Sequence, residues 1–150
     1  MVDYSGIDEQ EIRDYLADYR DIEVEELEYL YPGMSLEYAT RESVRHTSHE
    51  FRYSARVNGK LCCIGGVVPT EFGGQVWFLA TNELRRYRFR FPSEMQEFGI
   101  IDRMLHRYGK LYNYISVNNV RGIEWIKRIG FTVYEPEYDG RCYFEQLFIT

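Results

Sequence analysis

The sequence is short of cysteine. There are three, against 150 residues in all, and they build no disulfide framework. Cys62 and Cys63 are adjacent, so within a strand they face opposite sides, and Cys142 stands alone. No CxxC occurs, which argues against a zinc site, and reduced thiols point to a cytosol-like compartment. Long apolar runs are also missing: none reaches the roughly 18 residues that a membrane-spanning helix needs. The opening residues, MVDYSGIDEQ, are acidic and polar and do not read as a signal peptide. There is no internal repeat, no low-complexity tract and no linker, so one domain spanning 1–150 is expected, with an acidic helical part over 1–49 and the sheet and central helices over 50–150.

Aromatic side chains are plentiful at 17%, and 14 residues are tyrosine. Tyrosine buries a large ring and keeps a polar tip, which suits a core or an interface. The net charge of −6 is uneven. Residues 1–50 hold 14 Asp/Glu and 4 Lys/Arg, a balance of −10, whereas residues 51–150 hold 10 and 14, a balance of +4. The acidic half reads as a solvated helical face or an acidic arm.

The first third has helical spacing. Ile12, Tyr15, Leu16 and Tyr19 recur after the acidic residues from Asp8, and Leu27, Leu30 and Tyr31 continue the stripe until Pro32-Gly33. Ser35 is placed to cap a helix reaching about Thr47. Alternation over 51–57, the dipeptide Asn58-Gly59 and a return strand over 61–68 predict a hairpin. Gly65-Gly66 inside that strand signals a bulge or a close backbone approach. A loop over 69–74 precedes a buried strand at 76–80. Ser93 with Gln96 forms a capping-box pattern, and Met95, Phe98, Ile101, Leu105 and Tyr108 share one helical face ending at Gly109. A strand over 111–117, a helix capped by Asn118 or Asn119 and ended by Gly130, and strands at 131–134 and 142–149 complete the order. Helices between strands predict α/β layers around one mixed sheet, an antiparallel meander followed by a parallel strand.

The stretch Asn119-Val-Arg-Gly-Ile-Glu-Trp-Ile-Lys-Arg-Ile-Gly-Phe131 resembles the C-terminal signature of GNAT (N-acetyltransferase) domains: Asn at a helix start, an apolar helix, then Gly-Phe opening a strand. The likeness covers roughly two-thirds of the chain. Ile64-Gly-Gly66, Trp77-Phe78, Tyr112-Asn-Tyr114 with Val117 and Asn119, Ile129-Gly130 and Gln146-Leu-Phe-Ile149 are similar, in order and spacing, to GNAT-like internal virion proteins of tailed bacteriophages. The resemblance implies a GNAT-like fold, a phage origin, a role in virion assembly or content, phage or host proteins as partners, and a place in the host cytoplasm or the virion.

Acetyltransferases of this fold hold the coenzyme pyrophosphate on a glycine loop that opens the central helix. Here the corresponding segment, Leu84-Arg-Arg-Tyr-Arg-Phe-Arg-Phe-Pro-Ser93, has no glycine. Arg85, Arg86, Arg88 and Arg90 alternate there with aromatics, which suits a solvated loop, a phosphate held by guanidinium forks, or a protein or nucleic-acid partner. The acidic total argues against nonspecific nucleic-acid binding. If acyl-CoA binds, the resemblance places it on Phe78, Leu79, Ala80, Arg85, Arg86, Arg88 and Asn119. The family's general-acid tyrosine falls on Ile126, which has no proton to give, leaving Tyr112, Tyr114 or Tyr134 as substitutes and Glu71 or Glu83 as bases.

Three functions follow. The first is a non-catalytic phage protein of GNAT fold that needs no cofactor. The second is an acetyl-CoA-dependent acyltransferase with an arginine-rich cofactor loop. The third is an inhibitor of a host defence protein whose acidic half mimics nucleic acid. His46 and His49 share a helical face without a third metal ligand, and the cysteines lack a histidine partner by spacing.

Overall fold

The computed structural model describes residues 2–87, 93, 94, 96 and 99–149. The chain forms two compact units: Met1–Val68 with Val76–Tyr87, and Pro69–Gln75 with Arg88–Thr150.

In the first unit β1 (Val2–Ser5) precedes α1 (Glu9–Ala17), α2 (Asp21–Leu30) and α3 (Leu36–His46). Asp8 caps α1 by accepting from the Gln10 N–H, and Glu11 reaches back to the Asp8 N–H, so both orphan donors are satisfied. Ser35 caps α3 through the Tyr38 N–H. A 3-10 turn over His49–Phe51 leads into β2 (Arg52–Val57), and β3 (Lys60–Thr70) returns antiparallel. Asn58 and Gly59 take φ of 53° and 79°, the left-handed pair that a tight hairpin requires. Cys62 is an extra residue in the β2–β3 ladder, since Ala55 faces Cys63 while Arg56 faces Leu61. That insertion shifts the side-chain parity. Leu61 and Ile64 therefore enter the same buried cluster with Ile7, Ile12, Tyr15 and Val44, and Trp77 and Leu79 pack against it.

The expected close approach is at Gly65-Gly66, while the irregularity in register is at Cys62. A Cβ on Gly66 would lie 2.5 Å from Thr47 Cγ2 and 2.7 Å from the Phe51 carbonyl oxygen. The Trp77 indole N–H donates to Thr47 Oγ1 at 2.7 Å beside it. Two features depart from expectation. β1 pairs with β2 at the start of the part expected to be helical, 1–49; four residues are too few to show alternation. The long apolar stripe is broken at Asp18–Arg20, where Tyr19 bridges to Thr81.

β4 (Gly73–Ala80) runs from the second unit into the first. Strand order is β1-β2-β3-β4 in the first unit. In the second it is β4-β5-β7-β6, with β5 (Lys110–Ser116), β6 (Thr132–Val133) and β7 (Arg141–Leu147). β5 is parallel to β4 at Gly74↔Leu111 and Gln75↔Tyr112, and antiparallel to β7 from Lys110↔Leu147 to Ser116↔Arg141. The expected loop at 69–74 is only a turn at Glu71 and Phe72. The Thr70 hydroxyl accepts from the Phe72 N–H and donates to the Gly73 carbonyl, which lets the strands run on to Thr70 and from Gly73.

α4 (Ile100–Tyr108) buries Ile100, Ile101, Met104 and Leu105. It starts after Gly99 at φ 64°, so the helical face expected to run unbroken from Met95 is interrupted there; Met95 and Phe98 lie outside the described residues. α5 (Val120–Arg128) is capped by Asn119, which accepts from the Gly122 N–H at 3.0 Å. Gly130 then turns the chain at φ 107°, and Phe131 packs edge-on against Phe144 at 5.3 Å. The result is the mixed sheet expected, antiparallel with one parallel pair, flanked by five α-helices among the described residues.

Candidate functional site

The end of β4 is where the family resemblance places a coenzyme, and the α1–α2 junction is folded onto it within the first unit. Three consecutive main-chain donors there are already engaged. The Ala80 N–H donates to Glu23 Oε1 at 2.8 Å. The Thr81 N–H donates to the Cys62 carbonyl at 3.0 Å, and the Asn82 N–H to the Asp18 carbonyl at 3.0 Å. The Thr81 hydroxyl donates to the Leu61 carbonyl at 2.6 Å, and the Asn82 side-chain amide to Asp18 Oδ1 at 3.0 Å. The strand end is thus fastened on one side to β3 and on the other to residues 18–23.

Glu23 is 7% exposed. Its Oε1 also accepts from the Arg20 guanidinium, at 3.1 Å from Nε and 2.8 Å from Nη2. Burial pushes the Glu23 carboxyl above the ordinary glutamate value, against the opposing pull of Arg20 and the Ala80 N–H. Tyr15 beneath it is fully buried, and its hydroxyl has no hydrogen-bond partner among the described residues. Burial first, and the Glu23 charge second, hold that phenol protonated well above its usual range.

Phe78, Leu79 and Ala80 lie on β4, with Ala80 fully buried and Leu79 against the core. Arg85 and Arg86 follow in a 3-10 turn over Asn82–Arg86, both exposed, with Arg86 Nε 3.8 Å from Glu83. Arg88 and Arg90 lie outside the described residues. Asn119 belongs to the second unit, where it is occupied as the α5 cap. The structure therefore brings Phe78, Leu79, Ala80, Arg85 and Arg86 into one unit and places Asn119 in the other.

Most of the groups considered for proton transfer make contacts elsewhere in the protein. The Tyr112 hydroxyl is 2.7 Å from Thr70 Oγ1. Tyr134 and Tyr143 both donate to the Glu145 carboxylate, at 2.8 and 3.1 Å. That hydrogen bond raises Tyr134, and burial with the Glu145 contact pushes Tyr143 up to about 12. Tyr114 packs on Tyr143 and under Arg141. Glu71 sits exposed in the β3–β4 turn, and Glu83 faces Arg86. His46 is exposed and bonded to Glu42 at 3.1 Å. All three cysteines are buried, and burial raises the Cys62 thiol to about 11 and Cys63 further. No group of three or more metal-ligating side chains occurs among the described residues. None of their helices is long and apolar enough to cross a membrane.

Glu23 and Arg20 are the residues that sequence reasoning missed. A signal was present, because Glu23, Leu27 and Leu30 share one helical face by their spacing of four and three. A carboxylate on an apolar face needs a partner.

Solved structures with this architecture include N-acetyltransferases. The ribosomal-protein-S18-alanine N-acetyltransferase of Escherichia coli superposes with a TM-score of 0.63 at 14% identity, covering 98% of this chain and 94% of that one. The spermidine N-acetyltransferase of Vibrio cholerae, in complex with CoA and spermine, gives 0.65 at 10% identity, covering 97% and 95%. An N-acetyltransferase of Staphylococcus aureus Mu50 gives 0.68 at 13% identity, covering 98% of each. At these identities the likeness establishes the GNAT fold alone. In sequence, the chain is 32% identical over 82 residues to the probable scaffold protein gp13 of Escherichia phage T7, covering 52% of this chain and 57% of that protein. It thus spans little more than half the length of that curated relative. Residues 54–139, more than half of the chain, match the family described as "Bacteriophage T7, probable scaffold protein Gp13", and the chain belongs to that family.

Proposed function

We propose that this chain is a non-catalytic GNAT-fold protein of phage assembly, working through its shape and its surfaces on phage or host proteins, in the infected cell or the virion. The observation that carries the reading is the Glu23 carboxylate on the Ala80 N–H. A coenzyme gripped by main-chain donors needs them free and aimed outward. At this strand end Ala80, Thr81 and Asn82 each donate to another part of the protein. Freeing the Ala80 N–H would leave a buried, nearly desolvated carboxylate beside Arg20 without one of its donors, which is unfavourable by about 1–3 kcal/mol. Residues 84–93 contain no glycine to build a phosphate nest. Ile126, at the position of the family's general acid, is buried and has no proton to transfer. These residues do not fit acetyl-CoA.

The assembly role rests on family membership and on what the T7 relative is named for. Gradient sedimentation of infected-cell lysates tests it. The chain is expected to travel with precursor particles, and a phage lacking it is expected to give a reduced yield of infectious particles. A chain that stays at the top of the gradient, with full yield in its absence, contradicts the role.

A further inference from the structure

Successive side chains of a strand point to opposite faces, and β5 and β7 use that alternation in one way. Leu111 and Ile115 of β5 and Cys142 and Phe144 of β7 are buried. The positions between them carry tyrosine: Tyr112 and Tyr114 on β5 and Tyr143 on β7, with Tyr134 one residue beyond β6. Tyr143 is the centre of this group. The ring centroids of Tyr114, Tyr134 and Tyr112 lie 5.4, 5.8 and 6.3 Å from its own. Tyr114 and Tyr134 are 37% and 46% exposed, so small solutes can reach the group. Tyr134 and Tyr143 are held together at both ends. At the main chain, the Tyr134 N–H donates to the Tyr143 carbonyl at 2.9 Å. At the phenol end, Tyr134 donates to Glu145 Oε2 at 2.8 Å and Tyr143 donates to Oε1 at 3.1 Å. One carboxylate thus draws two phenols toward each other, with their ring planes 31° apart.

The Glu145 contact on Tyr134, and burial together with that contact on Tyr143, hold both phenols protonated. Removing an electron from either therefore requires a proton to leave with it, and the acceptor is already within hydrogen-bond reach. We infer that Tyr134 and Tyr143 form an oxidative cross-linking site, joined as dityrosine by a one-electron oxidant, with Glu145 accepting the protons. Each phenol gives one electron to the oxidant, which is reduced, and one proton to Glu145, which passes it to water. The two phenoxyl radicals join through the ring carbons next to oxygen, and the hydrogens on those carbons move to the oxygens. Two phenols and two equivalents of oxidant become one biphenol, two protons and two equivalents of reduced oxidant. Tyr114 is closer to Tyr143 by centroid, but it stands at 60° with the Arg141 guanidinium 5.5 Å from its ring. Its hydroxyl shares no acceptor with Tyr143 among the described residues. The new bond fastens the end of the edge strand β6 to β7. The inference stands on geometry within the second unit and holds whether or not the chain acts in assembly.

Brief photo-oxidation of the dilute full chain with a ruthenium tris-bipyridyl complex and persulfate tests it. The single-chain band is recovered from a denaturing gel and mapped by peptide mass spectrometry. The expected product is a chain lighter by two hydrogens, with the peptide of Tyr134 joined to that of Tyr143. Tyr134→Phe removes one exposed hydroxyl and should abolish the link to Tyr143 while the melting curve shows a folded chain. Glu145→Gln keeps the shape of the side chain but takes no proton, and should slow the appearance of the link at neutral pH at least about tenfold. Added imidazole, a diffusible base, should restore much of that rate, which a purely structural role for Glu145 would not allow. Wild-type chain whose tyrosines are oxidised without a Tyr134–Tyr143 link, or with Tyr114 as the main partner of Tyr143, overturns the inference. A link that forms as fast in Glu145→Gln as in wild type, or a slowed rate that imidazole leaves unchanged, overturns the part given to Glu145.

Discussion

A carboxylate inside a protein stays ionised only where donors and cations meet its charge. Glu23 has Arg20 and the Ala80 N–H, yet its burial outweighs both and its pKa is raised. The folded chain therefore holds the Glu23 proton more tightly than the unfolded chain does. The stability Glu23 contributes is fully present below the ordinary glutamate value and is lost as pH rises through the raised folded value. Glu23→Gln keeps an oxygen for the Ala80 N–H and removes the titration. From about pH 4 to about pH 8, the melting temperature of Glu23→Gln relative to wild type should move in favour of the variant. A constant difference across that range contradicts the assignment. Glu23→Ala instead strands both Arg20 and the Ala80 N–H, and should destabilise the chain by about 3 kcal/mol at neutral pH, lowering the melting temperature by ~6–12 °C.

At the level of elements, the β3 glycine pair and the β2–β3 hairpin decide how the first unit packs. A Cβ at residue 66 meets the Phe51 main-chain oxygen at 2.7 Å, and backbone in a 3-10 turn has little room to retreat. Gly66→Ala should therefore destabilise by about 1–3 kcal/mol, read as a lower denaturation midpoint with an unchanged slope; an unchanged midpoint contradicts the close approach. Local chemistry made several elements legible in the sequence. Asn58-Gly59, Ser35, Asn119 and Gly130 each carry a turn or cap requirement in one or two residues, and the structure meets it with those residues. Elements fixed by distant partners were not legible. β1 exists because β2 offers it an edge, and the α1–α2 break exists because Tyr19 and Asp18 hold Thr81 and Asn82, more than sixty residues away. The site divides the same way. The missing glycine loop and the exposed Arg85 and Arg86 could be read from sequence, whereas Glu23 looked like one more surface acid among 24 Asp/Glu until Ala80, 57 residues away, gave it a partner.

For the whole molecule, the fold of an acetyltransferase family is combined with a strand end whose main-chain donors face inward. Membership of the T7 Gp13 family and the charge balance of −10 in residues 1–50 against +4 in residues 51–150 direct attention from a substrate to surfaces. The closure of the strand end has a consequence for ligand binding. A ligand present at a hundred times its dissociation constant stabilises the folded state by about 2.7 kcal/mol, which for a chain of this length raises the melting temperature by about 5–10 °C. Thermal unfolding of the full chain with and without excess acetyl-CoA is the most direct measurement. An unchanged melting temperature is the predicted result. A saturable rise of several degrees would mean that the coenzyme displaces Glu23 from Ala80, and would contradict the account.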